Sequence, residues 1–267
     1  MKPMLRLTSL ILGGLLALGP SGRAQTAAIA HAPDGGTTFH IQSIDIAPLT
    51  AAPFTATVTT EWTRTLADGS AATTKNHRTV ARDSTGRIFQ ERRHFTPTGD
   101  VQPTPLDALE YVDPVRHEFL SCIPQRKTCY ASAYLRPQMD KMPAGVGGLQ
   151  VCACASTPGK GVKITQEALG QQTIEQLDAI GSREITTLPA GVIGNTNPQP
   201  IVKEFWYSSR LGINLVTKRF EPQGGAENFV VSGVSLNEPD PRLFEPPADY
   251  QIVREVVVKQ AIPQAAR

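Results

Sequence analysis

The chain contains little that would commit it to a chemistry. Its 267 residues include five His, four Cys and two Trp, and aromatic residues make up 6% of the total. The histidines (His31, His40, His77, His94 and His117) are scattered and form no i, i+4 pair, so a helical metal-binding arrangement is absent. His94 and His117 could meet in space, but lone surface histidines are the better reading of this scatter. No G-x-S-x-G nucleophile elbow occurs; Gly233-Val234-Ser235 lacks the closing glycine and falls in an expected strand. Pro158-Gly159-Lys160-Gly161 carries glycine where a phosphate loop needs the hydroxyl that meets magnesium, and no strand and helix frame it. The net charge of +2 is too small to draw nucleic acid by itself. Beyond the N-terminal run no apolar stretch reaches the ~20 residues of a spanning helix. Arg and Glu occupy both faces of Arg87–His94, where a barrel strand would present a purely apolar face to lipid. No catalytic residue, metal site or cofactor is therefore assigned, and the chain is not expected to span a membrane.

What is present begins at the N-terminus. Lys2 and Arg6 precede the apolar run Leu7–Leu18, and small residues follow at Gly22-Arg23-Ala24. Charged start, short apolar centre and small-residue end are the pattern of a secretory signal. Residues 1–24 are assigned to it, with cleavage near Ala24 and a periplasmic or secreted product. Cys122, Cys129, Cys152 and Cys154 are even in number, which suits disulfides in an oxidising compartment, and three full pairings exist.

The 22 Gly and 22 Pro predict many turns and few long helices. After a lead-in over 25–36, residues 37–258 form a single β-rich domain, with a Gly-rich insertion loop over 139–161 and a frayed tail over 259–267. Thr37–Ile46 alternates with one shift of phase and predicts a short bulged strand. In Phe54–Leu66, the residues Phe54, Ala56, Val58, Thr60 and Trp62 share one face. Asp68-Gly69 predicts a type I′ turn into a return strand over Ala72–Arg82, and Arg87–Phe95 completes a meander. Arg78, Arg82, Arg87, Arg92 and Arg93 crowd what is expected to be its solvent face, either simply solvated or meeting an anionic surface such as a lipid head group.

Thr96–Asp107 carries three prolines and predicts a loop. Val115–Cys122 and Thr128–Leu135 predict a hairpin whose facing positions bring Cys122 and Cys129 within disulfide reach. Cys152 and Cys154 lie in the insertion as a CxC pair, available for a second disulfide or for redox work. Gln172–Ile180, Ser182–Leu188, Val202–Ser208, Ile213–Phe220 and Asn228–Leu236 form a second meander, with a helical turn at Glu167–Gly170. Its densest β signal is Ile201–Phe220. Asp240-Pro241 predicts a capped helical turn that tucks Leu243 and Phe244 under the sheet, and Tyr250–Val258 a last strand.

Gly181–Gly191, Gly194-Asn195 and Glu204–Ser208 resemble a family of uncharacterised secreted bacterial proteins. The ending Glu238-Pro239-Asp240-Pro241 with Leu243-Phe244, Pro247 and Tyr250 belongs to that pattern, and is also similar to the C-terminal strand entry of the lipoprotein-carrier (LolA/LolB-like) superfold. The resemblance covers roughly Gln172–Arg254 and, less closely, the first meander; the four Cys and the insertion depart from it. It implies a mostly β fold, a curved antiparallel sheet forming an open half-barrel of two meanders, with a few short helices and an apolar concavity.

In such a sheet Trp62, Phe89, Phe119, Phe205, Trp206, Phe229 and Phe244 are either core or the lining of a cleft for a lipid, lipoprotein or other apolar ligand. Glu204, beside Phe205-Trp206-Tyr207, is the one acidic candidate, against an ordinary outward-facing strand residue. The expected function is a non-enzymatic envelope protein binding such a ligand in its concave face. The alternatives are a protein-interaction or sensor module in envelope signalling, and a thiol-redox protein using Cys152 and Cys154.

Overall fold

Alternation along Phe54–Thr65 becomes strand β1, in which Phe54, Ala56, Val58 and Thr60 are buried and the residues between them half-exposed. The structure is a computed structural model that describes residues 44–134 and 161–254. Strands β2 (Ala71–Arg82), β3 (Ile88–Arg93), β4 (Leu106–Asp113), β5 (Glu118–Ile123) and β6 (Thr128–Ala133) continue the first meander. Strands β7 (Lys163–Ile174), β8 (Leu177–Leu188), β9 (Gln199–Ser208), β10 (Ile213–Glu221) and β11 (Gly225–Ser235) form the second, and β12 (Gln251–Arg254) closes the described chain. One 12-stranded sheet results, in the order β12-β6-β5-β4-β3-β2-β1-β11-β10-β9-β8-β7. The β12·β6 pairing is parallel and the others antiparallel. The pairing of β1 with β11 is the seam between the meanders.

Several local expectations hold. Ile201–Phe220 is the β9–β10 hairpin, turning at Ser209–Gly212 with Gly212 N–H donating to Ser208 O at 2.8 Å. Cys122 faces Cys129 across β5 and β6, and the two are disulfide-bonded. Pro241–Phe244 is a 3-10 turn whose cap, Asp240, accepts from Arg242 N–H at 2.9 Å.

Others change. The first turn is the link Leu66–Ser70; only Gly69 has positive φ (+82°), where type I′ requires two such residues. The segment 106–113 is a full strand held between β3 and β5, although its own alternation is weak. Glu167–Gly170 is part of β7 rather than a helical turn, and β8 runs unbroken through Gly181. The chain reverses instead at Glu175 and Gln176, with φ of +50° and +61°. Pairing on both sides of β8 outweighs the local turn signal. Of the expected strand over Thr37–Ile46, only 44–46 is described; it is not a strand, yet Ile44 and Ile46 are buried. Cys152, Cys154, the insertion up to residue 160 and the N-terminal segment lie outside the described residues.

The sheet is open but strongly curled. Arg82 Nη2 donates to Leu211 O at 2.8 Å, although β2 and β10 lie three places apart in the sheet. Flat strands at a spacing of ~4.8 Å would hold them ~14 Å apart. The Glu175 carboxylate likewise accepts from Val234 N–H at 3.2 Å, joining the β7–β8 turn to the end of β11. At this curled end the concave face buries its main apolar cluster, including Phe54, Val58, Val80, Ile88, Ile213, Leu215, Phe229 and Val231, with Ile44 and Ile46 packed in. A smaller cluster on the convex side gathers Phe89, Tyr111, Leu120 and the disulfide beneath Phe244. The opposite end of the strands remains a wide mouth.

Candidate ligand-binding site

The mouth holds a cavity of about 520 Å³, walled by Trp62 of β1, Asn76 and Arg78 of β2, Arg92–Phe95 at the end of β3, Asp107, Ala108 and Glu110 of β4, and Glu227 of β11. Its position follows from an opening in the sheet. The β2–β3 ladder runs only over Val80↔Gln90, Ala81↔Phe89 and Arg82↔Ile88, and contact resumes at the isolated bridge Lys75↔Thr96. Side chains take up the backbone groups between. The Glu91 carboxylate accepts from Thr79 N–H at 2.8 Å, and Asn76 Nδ2 donates to Arg93 O at 2.7 Å. Arg93 in turn reaches Glu91 at 2.8 Å and Thr104 O at 2.6 Å.

Burial pushes the Glu91 carboxyl up, but the hydrogen bonds from Arg93 and the Thr79 amide outweigh it and hold it below its ordinary 4.5. A carboxyl whose folded pKa is depressed stabilises the fold above its unfolded pKa, and that contribution is lost as pH falls through the folded value. Glu91→Gln is therefore expected to flatten the decline in stability below about pH 4.5, followed as urea midpoint against pH. An acid limb identical to that of the wild type would show that Glu91 does not carry it.

The arginines of the first meander do not form a solvated face. Register places Arg82 opposite Phe54 and Arg78 opposite Val58, so the alternation that buries Val80 buries them as well. Arg82 is fully buried and donates to Ala52 O, Ala47 O and Leu211 O at 2.8–2.9 Å. Arg78 is 2% exposed, and its Nε, Nη1 and Nη2 meet no hydrogen-bond partner among the described residues. Burial pulls the Arg78 guanidinium down to about 9, with Arg92 adding to the shift and Glu110 and Glu91 opposing it. The remaining three are half-buried in ion pairs: Arg92 with Glu110 (2.7 Å), Arg93 with Glu91, and Arg87 with Asp83 (2.6 Å).

The seven aromatic candidates are distributed over the molecule. Trp62 lines the cavity; its indole N–H donates to Gly224 O at 2.8 Å, the Arg64 guanidinium lies 4.4 Å from its ring, and Phe95 meets it edge-on at 6.3 Å. Phe205 and Phe229 are buried, and Phe119 packs at the margin of the main cluster. Phe89 and Phe244 belong to the convex cluster. Trp206 leaves β9 on the side opposite Phe205, over Gly181. Asn76 and Phe95 were not among the candidates, and Arg78 was expected on a basic solvent face rather than in a cavity wall. The one available signal was that Asn76 and Arg78 lie in phase with the apolar positions of the strand.

Glu204 is a satisfied carboxylate. Burial raises its pKa, but donors on Arg183 (3.0 Å), Trp206 (3.1 Å) and Lys218 (3.1 Å) outweigh this and hold it below the ordinary range. His94, at the mouth, faces Asp107 at 3.5 Å, whereas His117 lies in the β4–β5 turn at the other end of the strands, so the two do not meet. Among the described residues no group of three or more His, Cys, Asp or Glu is placed to hold a metal, and no helix is long and apolar enough to cross a membrane.

No protein-family model matches the chain. No curated protein matches it. Solved structures similar to it include an uncharacterised conserved protein from Thermus thermophilus, with 12% identity over 77% of this chain and 91% of that one and a TM-score of 0.35. The Mycobacterium tuberculosis lipoprotein LppX matches with 10% identity over 70% of this chain and 91% of that one, at a TM-score of 0.30. A LolA superfamily protein from Nitrosomonas europaea matches with 10% identity over 73% and 90%, at 0.28.

Proposed function

We propose that the protein is a non-enzymatic envelope protein that holds an amphiphilic ligand, a lipid or a lipid-modified polypeptide, at the concave face of its open sheet. The observation that carries this reading is the mouth cavity. Its volume of about 520 Å³ lies within the ~300–1,000 Å³ of small-molecule sites, and it sets the apolar surfaces of Trp62, Phe95 and Ala108 beside polar groups on Asn76 and Arg78. The N-terminal charged, apolar and small-residue pattern accords with export to the envelope.

Trp62 supplies the test, since the only other tryptophan is Trp206. In a Trp206→Phe background, dodecyl-chain amphiphiles are expected to shift Trp62 emission saturably, and native mass spectrometry of the purified protein to reveal a bound lipid. No saturable shift together with no bound lipid would overturn the reading.

A second reading, a protein-docking module, has one observation in its favour. Strand β7 is a margin of the described sheet, and most of its 12 residues are exposed. Its outer edge, unpaired among the described residues, offers backbone groups for strand addition. A photo-cross-linker at Ile164 would capture such a partner.

A further inference from the structure

We propose that Arg78 receives an anionic oxygen group, a carboxylate or a phosphate, on the amphiphile held in the mouth cavity; this deepens the reading above and rests on it.

The argument starts from an imbalance. Of the five arginines Arg78, Arg82, Arg87, Arg92 and Arg93, four have partners: carbonyls for Arg82, and carboxylates for Arg87, Arg92 and Arg93. Arg78 is as buried as Arg82 and has none among the described residues. A guanidinium taken out of water without a counter-charge is among the least favourable states a side chain can adopt. The carboxylates nearest to it are already engaged: Glu110 with Arg92 and Gln90, and Glu91 with Arg93 and the Thr79 amide. Around the same cavity His94 faces Asp107, and Glu227 is engaged as well. Each of these groups is engaged elsewhere, and none meets the Arg78 guanidinium directly.

The surroundings narrow the ligand. A guanidinium is a planar fork of donors that matches the paired oxygens of a carboxylate or phosphate. Asn76 Oδ1 and Gln90 Oε1, on the same face to either side of Arg78, also lack partners among the described residues and are acceptors, suited to a hydroxyl on the same head group. Arg78 sits opposite Val58, where the buried apolar cluster gives way to the polar mouth. Trp62 and Phe95 wall the cavity beyond it. An anion seated at Arg78 thus places an attached chain against aromatic surface.

The test uses Trp62 emission in the Trp206→Phe background, with sodium dodecanoate, dodecyl phosphate, the neutral dodecyl maltoside and inorganic phosphate as probes. The anionic chains are expected to bind about tenfold or more tightly than the neutral one. Arg78→Gln is expected to abolish that preference, read as the ratio of anionic to neutral affinity within the variant, and Arg78→Lys to keep part of it. A preference for dodecanoate or for dodecyl phosphate, of either sign, supports the proposal and identifies the head group. Equal binding of charged and neutral chains, or a preference that survives Arg78→Gln, overturns the Arg78 proposal and leaves the amphiphile reading standing. Inorganic phosphate bound as tightly as dodecyl phosphate overturns it in favour of a free anion. No saturable binding by any chain overturns the amphiphile reading itself. As a check independent of ligand, Arg78→Met is expected to raise Tm by about 2–8 °C, because it removes a buried charge that none of these groups meets directly. A fall of that size would reveal a partner within the protein and overturn the proposal.

Discussion

Arg82→Met is expected to lose about 3–5 kcal/mol of stability, seen as a large fall in urea midpoint with little change in m. The side chain is fully buried over the Phe54 ring, 5.1 Å from its centroid. Its three donors bind carbonyls on separate stretches of chain: Ala47 in the segment that packs into the concave face, Ala52 just before β1, and Leu211 in the β9–β10 turn. Removing the guanidinium leaves those acceptors without their donor, at about 1–3 kcal/mol for each that water cannot reach. Relief from burying the charge offsets part of this sum. Arg82→Lys keeps the charge but not the fork and is expected to recover less than half of the loss. A loss below about 1 kcal/mol for Arg82→Met would mean that the curled end is held by apolar packing alone. Set beside the gain expected for Arg78→Met, this pair separates two arginines that lie four residues apart on one strand.

The second large effect belongs to the seam. Gly225→Ala is expected to cost about 3–5 kcal/mol, and Gly69→Ala only about 1 kcal/mol. Both glycines adopt positive φ, +86° and +82°, so both substitutions carry a similar backbone penalty. They differ in surroundings. A Cβ at Gly225 would lie 2.2 Å from Thr63 O and 3.1 Å from Arg64 Cα, whereas at Gly69 nothing lies within 4 Å. The obstruction at Gly225 is backbone of β1, where Thr63 pairs with Ala226, so relief requires prying β1 from β11. Equilibrium unfolding of the two variants side by side isolates the steric part. Equal losses would show that the seam yields without cost.

How much was legible in the chain follows from how local each signal is. The alternation of β1, the β9–β10 hairpin, the disulfide across β5 and β6 and the Asp240-capped turn each rest on a few neighbouring residues, and each appears where the pattern places it. Strand β4 and the continuity of β7 and β8 were not legible, because those segments take their conformation from the strands beside them. Of the aromatic candidates, only Trp62 reaches the cavity. Aromatic residues are chosen equally well by a core, and their number carries no information about which side of a curled sheet they meet.

The sequence by itself determined that this is a mostly β chain of two meanders, with a cross-strand disulfide and a capped turn near its end. Those features are set by alternation, turn chemistry and short spacings. The tertiary structure alone decided what the concave face contains. Arg78 and Arg82 are the same residue type, in the same strand and on the same face. The curl of the sheet brings three carbonyls to Arg82, while the opening between β2 and β3 leaves Arg78 beside a cavity with no partner among the described residues. That difference is made by groups far away along the chain, and no local pattern encodes it.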